Sequence, residues 1–322
     1  MTAAVTGAAT PRATPKLGVA VNEDLLIPDA AARRRILDHI ADAGLDHVTT
    51  GDHISFHGGT GFDGLMSATS ILATNDTLEV LIGVYQAGLR HPMVTARQLA
   101  TISQMAPGRL VLGVGVGGED RSEISNAGVE PATRGRRLDE TLEVLGRLAT
   151  GEAVDHQGRF FSLSDARILP PPDPRVPLVI GGSGDAAVRR TAAYGDGWLG
   201  IFCSARRFGE TVERIRAATA ELGRPAPSWF GLSMWCGFGS DGDRARELLG
   251  RRMQALYNQP PERFQHVTAA GTPVQVAEKL APFVEAGAEH LTIVTVAESV
   301  HVGIDLAAEV RRLLQAEFAL VG

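Results

Sequence analysis

Leu-Glu-Val-Leu-Ile-Gly-Val (78–84), Val-Thr-Ala-Arg-Gln-Leu-Ala-Thr-Ile-Ser-Gln-Met (94–105) and Leu-Val-Leu-Gly-Val-Gly-Val (110–116) follow one another across short spacers. The outer two are apolar runs of strand length. The middle one repeats its apolar residues with a helical period. Buried strand, amphipathic helix and second buried strand make one parallel β-α-β unit. The same alternation extends both ways. Strand-like runs fall at 17–21, 47–50, 178–180, 198–202, 229–238 and 291–296, which with the first two makes eight. Helical periodicity fills the gaps at 30–43, 65–74, 136–149, 186–193, 208–222, 243–257, 274–286 and near 306–316. Gly44, Gly223 and Gly287 follow helices as C-terminal caps. Eight strands, each followed by a helix, predict an α/β fold, a (β/α)8 TIM barrel.

A bare barrel needs about 250 residues, and the chain has 322. The surplus is assigned to a floppy tail at 1–15 and two insertions after strand four, leaving one barrel domain at 16–322. The first insertion, 119–133, is polar and Gly-containing. The second, 151–177, reads as a hairpin with Gly158 at its turn, then the Pro170-Pro-Pro172 run.

Composition narrows the chemistry. Hydrophobic residues at 44% and charged residues at 21% are ordinary globular usage and exclude disorder of the whole chain. A net charge of -6 without a basic patch argues against nucleic acid as a partner. No apolar run reaches the ~18 residues of a membrane span. The first 15 residues lack the apolar stretch of a secretory signal. Two cysteines give neither a disulfide framework nor zinc spacing, so the cytoplasm is the expected compartment. All but two of the 31 basic residues are arginines, and Lys16 and Lys279 stand where neither serves a Schiff base. Strand one has no His-x-His and the other histidines are scattered, so no catalytic metal is expected.

In such a barrel the active site lies where the strands end. Gly51-Asp52-His53 closes strand two, and a histidine beside a carboxylate is a candidate acid/base. The competing reading is that Asp52 caps the next loop and His53 is solvated. Gly113-Val-Gly115-Val-Gly117-Gly118 formally contains the dinucleotide fingerprint, but its first glycines alternate with valine as inside a strand. Missing side chains at Gly115, Gly117 and Gly118 would leave room for a planar ring. In Ile180-Gly181-Gly182-Ser183-Gly184-Asp185 a strand end runs through glycines into a helix, whose free N–H groups would face a phosphate. The alternative is a tight turn capped by Ser183. Cys203 and Cys236 read as small buried apolar residues.

Five stretches together resemble the bacterial-luciferase-like superfamily of flavin and deazaflavin oxidoreductases. They are Arg90-His-Pro-Met-Val-Thr-Ala-Arg-Gln-Leu-Ala-Thr-Ile, Pro107-Gly-Arg-Leu-Val-Leu-Gly-Val-Gly, Arg134-Gly-Arg-Arg-Leu-Asp-Glu, Val179-Ile-Gly-Gly-Ser and Tyr194-Gly-Asp-Gly-Trp. The resemblance runs from about Lys16 to Glu309. It implies a flavin-type ring at the strand ends, with its phosphate on the Gly181-Gly182-Ser183 turn. It also implies a non-prolyl cis peptide on a strand-three bulge, matched by Gly83–Val84. In members using coenzyme F-420 a catalytic histidine stands against the ring, where this chain has His53. Asp52 would orient it and Glu119 would assist. The resemblance implies F-420-dependent hydride transfer to or from a small organic substrate. The alternative is an FMN-dependent monooxygenase using reduced flavin and oxygen. Several F-420 members have an asparagine where Arg121 or Ser122 stands, and a tryptophan where Phe56 or His57 stands. A flavin-binding protein without catalysis would lack the acid/base pair. A homodimer and a separate flavin reductase or F-420-reducing enzyme complete the expectation.

Overall fold

The computed structural model describes residues 14–118, 120–257 and 259–319. The tail reading for 1–15 therefore falls almost wholly outside them. Eight parallel strands are formed: β1 (Lys16–Ala20), β2 (His47–Thr50), β3 (Glu79–Tyr85), β4 (Leu110–Val114), β5 (Leu178–Gly181), β6 (Gly197–Ile201), β7 (Trp229–Phe238) and β8 (His290–Val296). Each pairs with its neighbour in chain order, and β1 closes on β8 with Lys16 opposite His290. The (β/α)8 barrel is thus closed. Among the described residues nine longer helices surround it: α1 (Ala30–Asp42), α2 (Gly64–Thr74), α3 (Pro92–Met105), α4 (Arg134–Leu148), α5 (Asp185–Tyr194), α6 (Ala205–Glu221), α7 (Gly242–Tyr257), α8 (Pro273–Glu285) and α9 (Val300–Ala319). Two of them, α7 and α8, follow β7, and the short strand Ala269–Gly271 between them pairs with the end of β7.

Two stretches have more structure than their composition predicts. The polar insertion at 119–133 contains a short helix, Arg121–Asn126, started by Asp120, whose carboxylate accepts from the Ser122 N–H. The loop after β2 folds as a hairpin, His53–Phe56 against Thr60–Phe62. Gly58 and Gly59 turn it with φ of 87° and 96°, angles that favour glycine. The hairpin expected in the second insertion is present at Val154–Gln157 and Ser162–Ala166, and Gly158 donates to Phe161 O at its turn.

Side chains alternate across each strand. Leu17, Val48, Ile82, Leu112, Ile180, Leu232 and Ile293 join the main core. The opposite set faces the barrel axis. Leu81, Val111, Val179, Leu199 and Trp229, one from each of β3 to β7, pack together there with Val84. On the β8-β1-β2 side the interior is polar. His47 Nε2 lies 2.9 Å from Thr292 Oγ1, which lies 2.9 Å from Thr49 Oγ1. Gly18 is required beside this ring, because a Cβ there would stand 2.5 Å from His47 Cδ2.

The β3 bulge is where the register against β4 shifts, between Ile82 and Tyr85, and the Gly83–Val84 peptide is cis, as the resemblance implies. It turns Val84 into the barrel. A Cβ on Gly115 would stand 2.4 Å from Val84 Cγ2, and one on Gly181 2.6 Å from Val84 Cγ1. Two glycines on neighbouring strands therefore make the seat of this one side chain.

Two predictions follow from this interior. Gly115→Ala should destabilise the fold by about 1–3 kcal/mol, the usual cost of overpacking. Adding Val84→Ala should recover most of that loss in urea denaturation. Equal stability of Gly115→Ala and the unsubstituted protein would contradict the seat. Burial pushes the His47 imidazole down to about 4 from 6.5, with Lys16 adding to the effect and Asp46 opposing it. A histidine kept neutral by folding contributes stability above its unfolded pKa, and that contribution is lost as pH falls. Stability should therefore drop between about pH 6.5 and 4, and His47→Gln should flatten that part of the profile.

Candidate active site at the barrel mouth

Asp52 directly follows β2 and is fully buried. Its carboxylate takes a bidentate pair from Arg90, Nη1 to Oδ2 at 2.7 Å and Nη2 to Oδ1 at 2.8 Å. Oδ1 also accepts from the Gly64 N–H at the start of α2, and Oδ2 from the Gln86 N–H just past β3. Arg90 reaches Asp63 Oδ2 at 2.8 Å and lies 4.3 Å over the Tyr85 ring. One carboxylate thus ties the ends of β2 and β3 to the starts of two helices. Asp52 does not orient the His53 ring, contrary to the expectation from their adjacency. Its four acceptor positions are filled by Arg90, Gly64 and Gln86.

The carboxylate on His53 is Glu123, from the short helix Arg121–Asn126. His53 Nδ1 stands 3.1 Å from Glu123 Oε2 and 3.3 Å from Oε1. Glu123 also accepts from the Ile54 N–H at 2.6 Å, the Ser55 N–H at 3.1 Å and Gln86 Nε2 at 3.2 Å. The other Gln86 Nε2 hydrogen goes to Asp52 O at 3.1 Å. Burial disfavours the charged form of Glu123, but the bonds from His53, Ser55 and Gln86 outweigh it and hold the carboxyl below its usual range. An ionised acceptor at this distance requires a proton on Nδ1. No hydrogen bond from the described residues reaches Nε2, and the side chain is 38% exposed. Nε2 is the ring nitrogen left to meet a ligand.

Glu119 lies outside the described residues. Sequence reasoning missed Glu123, although Asp120-Arg-Ser-Glu123 carries a helix-start pattern, an N-cap acid with glutamate three residues on. Arg121 and Ser122 are in the same helix. Phe56 packs between two imidazoles, 4.1 Å from the His53 ring and 4.0 Å from that of His57.

At the glycines after β4 the positions of the missing side chains meet the protein's own groups. Val84 occupies the position above Gly115, Gln86 Oε1 the one at Gly117, and the Arg134 guanidinium the one at Gly118. Their missing side chains accommodate the protein's own groups. Gly83 differs, being exposed at the mouth. Its Cβ position faces Thr49 Cγ2 at 3.1 Å and Leu199 Cδ2 at 3.3 Å. After β5, Gly182, Ser183 and Gly184 are exposed. Gly182 and Gly184 have φ of 113° and 77°, and Trp198 Nε1 fixes the turn by donating to Gly182 O. Gly184, not Ser183, is the N-cap of α5, and no side chain caps it. Neither cysteine is a nucleophile. Burial raises the Cys203 thiol to about 11 and Cys236 higher still. No cluster able to hold a metal occurs among the described residues, and none of their helices is long and apolar enough to cross a membrane.

A half-exposed histidine bonded to a buried carboxylate, a strand bulge and an exposed glycine turn gather at the C-terminal ends of β2 to β5, the end of the barrel where TIM-barrel enzymes carry their active sites. Residues 9–290 match the model of the luciferase-like monooxygenase family, and the chain belongs to that family. Family and fold are those of flavin- and deazaflavin-dependent oxidoreductases. Among curated relatives, an F420-dependent glucose-6-phosphate dehydrogenase of Microbacterium testaceum is 33% identical over 165 residues, 49% of this chain and 48% of that one. An uncharacterised protein of Mycobacterium tuberculosis is 29% identical over 167 residues, 52% of this chain and 57% of its own length. The matches thus span about half of these relatives. In fold, the chain is similar to an F420-dependent secondary alcohol dehydrogenase solved with an F420-acetone adduct (TM-score 0.81, 20% identity, 92% of this chain and 98% of that one). It is also similar to the EDTA monooxygenase of Chelativorans sp. BNC1 (TM-score 0.77, 16% identity, 95% and 94%).

The Glu123 geometry makes a prediction. A carboxyl whose folded pKa is lowered contributes stability that is complete above its unfolded value, near 4.5, and is lost as pH falls through the folded value. Glu123→Gln should therefore be less stable than the unsubstituted protein at pH 7, with the difference closing below pH 4. Urea denaturation at both pH values measures it. A difference that stays constant would mean the carboxylate is not held as described.

Proposed function

We propose that the protein is an F-420-dependent oxidoreductase that interconverts a small alcohol and its carbonyl partner. The observation that carries this reading is His53, fixed through Nδ1 by Glu123 just past the end of β2, with Nε2 left without a hydrogen bond from the described residues on a side chain 38% exposed. The half of the mouth formed by β3 to β5 suits a planar ring with a phosphate tail. Gly83 is bare toward the mouth, and the uncapped start of α5 offers backbone N–H groups to an anion. When bound, the deazaflavin supplies the two-electron chemistry, exchanging a hydride with the substrate carbon. His53 supplies the rest. Nε2 takes the hydroxyl proton as an alcohol becomes a carbonyl and returns it in reverse. Glu123 keeps the basic lone pair on Nε2 and stabilises the imidazolium that forms. Gln86, held by Asp52 O and Glu123, keeps both in place.

The curated relatives named for F420 and the Gly51-Asp-His53 and Gly83-Val84 matches support F-420 over FMN. Sustained turnover would need a second enzyme to reset the redox state of the cofactor. The reading is tested by stopped-flow transfer at saturating F-420. His53→Ala should slow the step by about 100- to 10,000-fold, the range of a lost acid/base group, with cofactor affinity nearly unchanged. A rate within about threefold of the original would remove His53 from the chemistry. An absorbance titration in which FMN binds tightly and F-420 does not would favour reduced-flavin oxygenation instead.

A further inference from the structure

The arc of the mouth opposite His53 has a different chemistry. At the C-terminal ends of the strands the inward positions on β1, β3, β4 and β5 are Ala20, Gly83, Gly115 and Gly181, all small. On β6, β7 and β8 large apolar side chains stand at Ile201, Trp235, Val294 and Val296, with Gly237 the one small residue beyond Trp235 on β7. Ile201 is 37% exposed although it ends a barrel strand. Phe202 follows it with φ of 51°, a left-handed conformation that a bulky residue rarely adopts and that concentrates at functional sites. That backbone aims Phe202 into a cluster. Its ring lies 5.6 Å from Tyr257 and 5.4 Å from Phe264, while Tyr257 is 5.4 Å from Phe264 and 6.0 Å from Trp235. Phe202, Tyr257 and Phe264 stay only half-buried, unlike Phe208, Phe230 and Phe238 in the main core.

We propose that this wall, Phe202, Trp235, Tyr257 and Phe264 with Ile201 and Val294, seats the non-reacting part of the substrate, and that this part is an uncharged hydrocarbon or aromatic group. The inference rests on the alcohol/carbonyl reading above. The linked polar side chains His53, Glu123 and Gln86 stand on the β2–β4 arc. Apart from the Tyr257 hydroxyl and the Trp235 N–H, the wall on the β6–β8 arc presents apolar surface. A phosphorylated or polyhydroxylated substrate would lose hydration there and gain few partners. A neutral alcohol with an apolar body would place its hydroxyl at His53 and its body on the rings.

Ligand-observed NMR and calorimetry on the full chain, in the absence of turnover, test the wall directly. The probes are cyclopentanol, cyclohexanol, cycloheptanol and glucose 6-phosphate. The cyclic alcohols should bind, with affinity rising about threefold to fourfold for each added methylene, the increment for burying one such group. Glucose 6-phosphate should bind more weakly than any of them. Phe264→Ala, at a half-buried position, should flatten the series, and Trp235→Phe should preserve it. A series independent of ring size, tighter binding of glucose 6-phosphate, or a series unaltered in Phe264→Ala would each overturn the proposal. If Phe264→Ala does not fold, the ring-size series of the unsubstituted protein decides. Because binding is read without transfer, an intact series with an unimpaired His53→Ala rate would reject the alcohol/carbonyl reading and leave the wall standing.

Discussion

The ion pair between Asp52 and Arg90 is the constraint on which the mouth depends. Both oxygens of a fully buried carboxylate are filled by a guanidinium fork and two backbone N–H groups. A buried pair of this kind adds little net stability, but removing one partner leaves an uncompensated charge at a cost of about 3–5 kcal/mol. Its effect is positional. It fixes the chain just past β2 and just past β3, and so fixes His53 on one and Gln86 on the other. Glu123 then closes the arrangement from the β4 side. Three successive strand ends are joined by two carboxylates, one paired with Arg90 and one bonded to His53.

The same economy of space governs the barrel interior. Gly115 and Gly181 lack side chains because Val84 occupies their positions, and Gly18 because His47 does. Gly83 alone among the β3 and β4 glycines is both exposed and inward. The mouth is thereby divided by strand number. On β3 to β5 the exposed backbone is Gly83 and the Gly182–Gly184 turn, and on β6 to β8 the side chains Ile201, Trp235 and Val294 are large and apolar.

The barrel was legible because its strands are apolar runs separated by amphipathic helices, a pattern that survives without tertiary information. β2 and β7 start and end where their runs do, at His47–Thr50 and Trp229–Phe238. Gly83–Val84 was legible through family resemblance, and the Gly181-Gly182-Ser183 turn through its glycines between a strand and a helix. The partner of His53 was not. Adjacency in sequence favoured Asp52, yet neighbours around the end of a strand point to opposite sides, and Asp52 turns away from the ring its neighbour presents. Glu123 sits 70 residues from His53, on a helix of six residues too short to show a period. Only the Asp120 N-cap marked it. The 53–62 hairpin escaped for a related reason. Its strands are three and four residues long, and the Gly58-Gly59 turn was the single local signal.

The central claim is that Glu123 fixes the His53 proton on Nδ1 and leaves Nε2 as the basic nitrogen at the mouth. The most direct test is the tautomer of His53 itself, read by NMR of protein labelled with nitrogen-15 in its histidine rings. Its resonances would be assigned from the spectrum of His53→Gln. The account predicts that the neutral form of the ring carries its proton on Nδ1, shifting toward the mixture of an unconstrained imidazole in Glu123→Gln. A ring protonated at Nε2, or one whose tautomer is the same with and without the Glu123 carboxylate, would contradict it.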